Sequence, residues 1–165
     1  MNILVEVVHG IPHARIADFG IAIVTKNLDS VRPDTRQEVH TPRWSAPEIF
    51  LGKNPSKESD VYSFAMVAIE VHREWSEMRV FSLTVVAPTQ ALSGEVPFSS
   101  EKTNWTVAPA VLTGKRPSRP AHPSCTDGLW ALIQRCWDQE PQLRPEAPEV
   151  SRIFYSVSTN WAFRG

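Results

Sequence analysis

Cysteine and glycine are both scarce in this chain of 165 residues, and neither sign of charge dominates. The two cysteines, Cys125 and Cys136, are too few for a disulfide framework and lack the spacing of metal ligands. Cys136 falls in an apolar helical pattern, which favours a buried free thiol. The seven glycines include no Gly-x-Gly-x-x-Gly phosphate-binding loop. A formal net charge of -1 gives no general attraction to nucleic acid.

Long apolar runs are also missing. No stretch approaches the ~18 consecutive apolar residues that a membrane span needs, and the N-terminus lacks the basic region of a signal peptide. The hydrophobic share of 42% and the charged share of 21% are ordinary for globular proteins, and 165 residues suffice for one domain with a core. We therefore expect a cytoplasmic protein without a membrane or nucleic-acid partner.

Two tripeptides frame the most informative stretch. Asp18-Phe19-Gly20 ends a strand-like run, and Ala46-Pro47-Glu48 begins 28 residues after Asp18. A polar loop separates them, and the loop ends with Thr41-Pro42-Arg43-Trp44. This pattern presents a carboxylate at a strand end, beside a long polar segment. Either tripeptide alone is a weak signal, but both in this order and at this separation form a strong one.

The stretch resembles the activation segment of a protein kinase. The pair Arg43-Trp44 resembles that of tyrosine-kinase-like enzymes, which are serine/threonine kinases similar in sequence to tyrosine kinases. Thr41 favours specificity for serine or threonine over tyrosine. The resemblance places the following residues in the activation segment: Phe19, Gly20, Thr41, Arg43 and Trp44.

The same resemblance implies metal ligands. It makes Asp18 a ligand of Mg²⁺, and Asn2-Ile3-Leu4-Val5 resembles the end of a kinase catalytic loop, so that Asn2 would share the metal. The alternative for Asn2 is an unremarkable residue near the chain terminus. Several hydroxyls of the segment are candidates for phosphorylation, and a phosphate near an arginine would order the loop. The hydroxyls are those of Thr25, Ser30, Thr35 and Thr41, and the arginines are Arg32, Arg36 and Arg43; the alternative is a solvated polar loop.

The periodicity predicts a mainly α fold. Residues 2–8 and 13–17 have strand character and form a short hairpin, whereas residues 56–71 begin with cap-type residues and continue as a helix that is apolar all round. Thr126 or Asp127 caps an amphipathic helix, and a last helix runs from Glu146 to about Ser156. The motif around Asp60 resembles the central helix of the C-terminal lobe of a protein kinase. We expect that lobe, preceded by a short N-terminal β-hairpin.

Asp60 has two interpretations. In the kinase family this carboxylate accepts backbone N–H bonds from the catalytic loop. The alternative is a carboxylate near a helix N-terminus, which the helix dipole favours.

The resemblance also sets the expected domain limits. It makes residues 1–154 a partial protein kinase domain that starts at the end of the catalytic loop, and residues 155–165 a loosely packed tail. Residues 72–93 have no family counterpart and form an insertion, interpreted as translated non-coding sequence such as a retained intron, or alternatively as an evolved binding element. We expect residues 74–92 to be poorly ordered.

By family, the function is ATP-dependent phosphorylation of a protein substrate, with ATP and Mg²⁺ as cofactors. The glycine-rich loop, the strand lysine and the catalytic His-Arg-Asp are absent from these 165 residues. We therefore expect an inactive kinase fragment that neither binds nucleotide nor transfers phosphate alone. The alternatives are a non-catalytic module that binds a partner protein, and a truncated or mis-spliced product.

One long-range contact also follows from the resemblance. In the family the glutamate of Ala-Pro-Glu is held by an arginine before the last helix, which implies a buried ion pair between Glu48 and Arg144, 96 residues apart. The guanidinium would hold the carboxylate through two parallel hydrogen bonds. The alternative is two separate surface charges.

Overall fold

The computed structural model describes residues 3–8, 11–16, 41–71, 96–121 and 125–162. Two strands form an antiparallel hairpin, β1 (Ile3–Val8) and β2 (Ile11–Ile16), with Ile3 opposite Ile16. The helices are α1 (Pro47–Phe50), α2 (Lys57–Val71), α3 (Asn104–Leu112), α4 (Asp127–Cys136) and α5 (Ala147–Ala162). Short 3₁₀ turns lie at Pro42–Trp44 and Pro141–Leu143. The mainly α fold with an N-terminal hairpin is confirmed.

Helix α2 is the centre of the core. Ser56 and Ser59 start it by reciprocal capping, since the Ser56 N–H donates to Ser59 Oγ (2.8 Å) and the Ser59 N–H donates to Ser56 Oγ (3.3 Å). From residue 61 to residue 70 every side chain is buried or half-buried, as the run of apolar residues predicts. Five of these residues belong to the main hydrophobic cluster: Val61, Tyr62, Ala65, Met66 and Ile69.

Helix α4 packs its apolar face against α2 and α5. The side-chain hydroxyl of Thr126 accepts from the Leu129 N–H (3.3 Å), which confirms the predicted cap. The buried face contains Leu129, Leu132, Ile133 and Cys136. Trp130 and Trp137 meet edge to face with their ring centroids 5.3 Å apart, which is an arrangement that aromatic pairs prefer.

Helix α5 is longer than the sequence pattern predicts. It continues to Ala162, whereas the pattern places its end near Ser156. The extension has a packing reason, because Val157 lies against Gly128 of α4: a Cβ added at Gly128 would come within 2.9 Å of Val157 Cγ1. The part of the expected tail up to residue 162 is therefore helical.

The insertion predicted at residues 72–93 lies outside the described residues. In the part of the chain that the structure describes, no helix has the length and apolar character needed to cross a membrane.

Candidate functional site

The predicted activation segment is described from Thr41 onward. Pro42, whose ring fixes φ near the helical value, begins a 3₁₀ turn that ends at Trp44. The Trp44 N–H donates to the Thr41 carbonyl (3.1 Å), and the Ser45 hydroxyl donates to the same carbonyl (2.9 Å). Thr41, predicted as a substrate-side or phosphorylated residue, is exposed in this turn.

Trp44 fastens the turn to the central helix. Its indole N–H donates to Glu70 Oε2 (2.9 Å), and its carbonyl accepts from the Ser63 hydroxyl (2.9 Å). Both partners are polar residues in the otherwise apolar run of α2. The polar positions of this helix therefore mark where the predicted activation segment docks.

Arg43 points away from α2 and towards the chain before α3. Its guanidinium donates to the carbonyls of Pro97 (3.0 Å), Phe98 (2.6 Å) and Glu101 (2.8 Å), and its Nε–H donates to Asn104 Oδ1 (3.2 Å). The sequence-based hypothesis gave Arg43 a possible role in pairing with a phosphate. In the structure most of its donors are already bound within the protein.

Glu48 and Arg144 form the predicted ion pair. Arg144 Nη1 donates to Glu48 Oε1 (2.7 Å) and Nη2 donates to Glu48 Oε2 (2.8 Å), so the contact is the expected bidentate one. The exposed fraction is 5% for Glu48 and 6% for Arg144. Arg144 also donates to the carbonyls of Asp138 and Glu58, both at 2.9 Å. The pair thus joins the end of the predicted activation segment to α2 and to the turn before α5.

Two guanidinium groups lie over the ring of Tyr62. The Arg116 Cζ is 5.2 Å and the Arg144 Cζ 5.1 Å from the ring centroid, within the range of cation–π attraction. Burial raises the pKa of Tyr62 to about 12, because the phenolate would be desolvated, although the two arginines act in the opposite direction. Among the described residues, the buried Tyr62 hydroxyl has no hydrogen-bond partner.

Arg116 is held over the ring by further hydrogen bonds. Its Nε–H donates to the Trp137 carbonyl (3.0 Å) and its Nη2 donates to Gln139 Oε1 (2.7 Å). Burial lowers the pKa of Arg116, while the neighbouring Tyr62 opposes the shift. The sequence indicated only a basic loop here, because no local pattern links Arg116 to a residue 54 positions earlier.

Asp60 lies in the first turn of α2. The residue as a whole is exposed, yet desolvation by surrounding protein atoms raises the pKa of its carboxyl group. Hydrogen-bond donors near such a carboxyl group would stabilise its charged form. This environment is compatible with either interpretation of Asp60 given above.

The predicted metal ligands Asn2 and Asp18 lie outside the described residues, as do Phe19 and Gly20. The same holds for the other predicted phosphorylation sites, Thr25, Ser30 and Thr35, and for Arg32 and Arg36. Within the described ranges, no group of three or more His, Cys, Asp or Glu side chains is placed to hold a metal ion.

Comparison with known proteins supports the resemblance to protein kinases. The family model described as protein tyrosine and serine/threonine kinase matches residues 1–154. The chain is 37% identical over 166 residues to the "Light-sensor Protein kinase" of Ceratodon purpureus, covering 88% of this chain and 11% of that protein.

Two other relatives are also kinases by name. The "Serine/threonine-protein kinase STY17" of Arabidopsis thaliana is 30% identical over 82% of this chain and 19% of its own length. The "Dual specificity protein kinase shkC" of Dictyostelium discoideum is 31% identical over 82% of this chain and 22% of its own length. The chain thus spans less than a quarter of each of these three relatives.

Proposed function

The chain belongs to the protein tyrosine and serine/threonine kinase family, and we propose that it supplies the C-terminal lobe for ATP-dependent phosphorylation of serine or threonine in a protein substrate. The observation that carries this proposal is the anchored turn at Pro42–Trp44. Trp44 bonds to Glu70, and Arg144 holds Glu48 four residues further along. A surface that positions a substrate has to be held by such surrounding contacts.

The chemistry assigned to the predicted ligands is a part of this proposal. When bound, Mg²⁺ would neutralise charge on the phosphates of ATP. Asp18 and Asn2 would supply carboxylate and amide oxygens, which are ligands suited to this cation.

We further propose that these 165 residues do not transfer phosphate alone. Phosphoryl transfer requires a phosphate clamp, metal ions and a residue that orients the attacking hydroxyl. The residues assigned here supply only the metal ligands. Calorimetry of the chain with magnesium-ATP should show no saturable binding, and a micromolar dissociation constant would contradict this.

A chimaera tests the kinase function itself. The kinase domain of the Ceratodon purpureus relative, from its N-terminus through the residue before its catalytic-loop asparagine, is joined in front of Asn2 of this chain, so that the spacing between the catalytic aspartate and the asparagine is kept. We expect magnesium-dependent phosphorylation of a generic protein substrate, abolished by Asp18→Asn, with label on serine or threonine. The intact kinase domain of the relative is the positive control. A well-folded chimaera without transfer would contradict the proposal.

A non-catalytic interaction module is the second candidate function. Trp105 at the start of α3 favours it, because 89% of this large aromatic residue is exposed and tryptophan is enriched at protein interfaces. In that case the chimaera would remain inactive, while Trp105→Ala would abolish binding of the partner protein.

The domain limits and the location complete the proposal. We take residues 1–154 as the partial kinase domain, 72–93 as an insertion and 155–165 as its C-terminal extension. A variant without residues 74–92 should then be as stable as the parent in thermal unfolding, and a markedly lower Tm would contradict the insertion. A cytoplasmic location is supported by Cys125 and Cys136, both of which are free thiols.

A further inference from the structure

Arg43 connects the activation segment to a distant part of the chain. Among the described residues, its four hydrogen bonds go to residues 97–104, which are 54 to 61 positions later. Three of the acceptors are backbone carbonyls, at 2.6–3.0 Å. Hydrogen bonds from a charged guanidinium are shorter and stronger than neutral ones. We call Arg43 and these three carbonyls, of Pro97, Phe98 and Glu101, the carbonyl clamp.

The clamp closes on a strained residue. Phe98 has a φ of 58°, in the left-handed region that side chains other than glycine rarely adopt. Its carbonyl accepts from Arg43 Nη1 and also from the Glu101 N–H (2.9 Å), while its side chain is 6% exposed. Such strain persists only where surrounding contacts enforce it. Arg43 and the buried Phe98 ring together provide those contacts.

We propose that Arg43 is a positioning residue for the protein substrate, and this rests on the function proposed above. Arg43 neighbours Pro42 and Trp44 in the turn, so the clamp fixes the turn against the chain before α3. The Trp44–Glu70 bond fixes the same turn against α2. The clamp and the Trp44–Glu70 bond attach the turn to two separate parts of the protein and so fix its orientation. With the Trp44–Glu70 bond alone, the turn could rotate about that contact.

The geometry separates this role from phosphate binding. A guanidinium has five N–H donors in one plane, and four hydrogen bonds of Arg43 already end on protein acceptors. A lysine has three donors on a single nitrogen, so it cannot reach the separated carbonyls that the planar guanidinium contacts at the same time. Arg43→Lys therefore keeps the charge but removes the clamp.

Hydrogen exchange on the full 165-residue chain tests the clamp. In Arg43→Lys we expect the Glu101 and Trp44 amides to exchange at least about tenfold faster, because both are held by local bonds next to the clamp. Amides of α4 should exchange at the parent rate. Arg135→Lys is the matched control, since Arg135 forms an exposed pair with Glu149. Unchanged exchange at Glu101 and Trp44 in Arg43→Lys would overturn the proposal.

Steady-state kinetics of the chimaera test the positioning role. Arg43→Lys should raise the KM for the protein substrate about tenfold and leave the KM for ATP unchanged. Arg43→Gln, which retains fewer donors, should give at least the same effect. A lower Tm with an unchanged KM for the protein substrate would mean a merely structural role and would overturn the proposal. If the parent chimaera is inactive, the proposed function fails, and the exchange experiment alone decides whether the clamp exists.

Discussion

Removing the guanidinium of Arg144 should destabilise the protein strongly. Arg144→Ala leaves the Glu48 carboxylate without the two hydrogen bonds of 2.7 and 2.8 Å, in a position where its side chain is only 6% exposed. Breaking a buried pair by removing one partner typically costs about 3–5 kcal/mol. For a chain of this size, each kcal/mol lowers Tm by about 2–4 °C, so we expect a decrease of about 6–20 °C.

Equilibrium unfolding in urea, followed by circular dichroism, measures this loss. Arg135→Ala is the matched control, because the Arg135–Glu149 pair has the same distance of 2.7 Å but side chains that are 50% and 35% exposed. Such an exposed pair contributes about 0–1 kcal/mol. The two variants therefore separate the effect of burial from that of distance.

The double variant Glu48→Gln/Arg144→Met tests the cause. It leaves no unpaired buried charge, so its loss of free energy of unfolding should be smaller than the sum of the losses in Glu48→Gln and Arg144→Met. If Arg144→Ala loses no more free energy of unfolding than Arg135→Ala, the reasoning from burial is refuted.

Two further predictions concern buried titratable groups. Tyr62→Phe keeps both arginine–ring contacts and removes a buried hydroxyl that has no hydrogen-bond partner in the described part of the chain, so the free energy of unfolding should rise by about 1 kcal/mol near neutral pH. Since the pKa of Tyr62 is raised from 10.0 to about 12, the folded state favours the protonated phenol over the phenolate, and this preference costs stability as the pH rises from 10 to about 12. The parent should lose stability there more steeply than Tyr62→Phe, and parallel curves would contradict this. Burial also raises the pKa of the Cys136 thiol from 9.0 to about 12. In a Cys125→Ser chain at pH 8, the folded protein should therefore react with a disulfide reagent on the order of a thousandfold more slowly than the same chain unfolded in urea. Similar rates in the folded and unfolded chains would show that Cys136 is accessible.

Local patterns identified much of the helical architecture. Apolar periodicity and capping residues act between positions three or four apart, so α2 and α4 could be located from their own residues. The Glu48–Arg144 pair was also predicted, but through the resemblance, because no local rule connects residues 96 positions apart. The end of α5 was predicted too early, since the contact of Val157 with Gly128 is made only when the two helices pack.

The motifs and periodicity of the sequence determined the family and most of the helical architecture, and the family resemblance added one ion pair. Only the tertiary structure decided what Arg43 and Arg116 bind, because their partners are mainly backbone carbonyls, and a carbonyl is present at every residue and leaves no mark in a sequence. The contacts of the Tyr62 ring were also decided by the tertiary structure, because its two arginines come from different parts of the chain. Their contacts depend on the path of the folded backbone, which no short stretch of residues specifies.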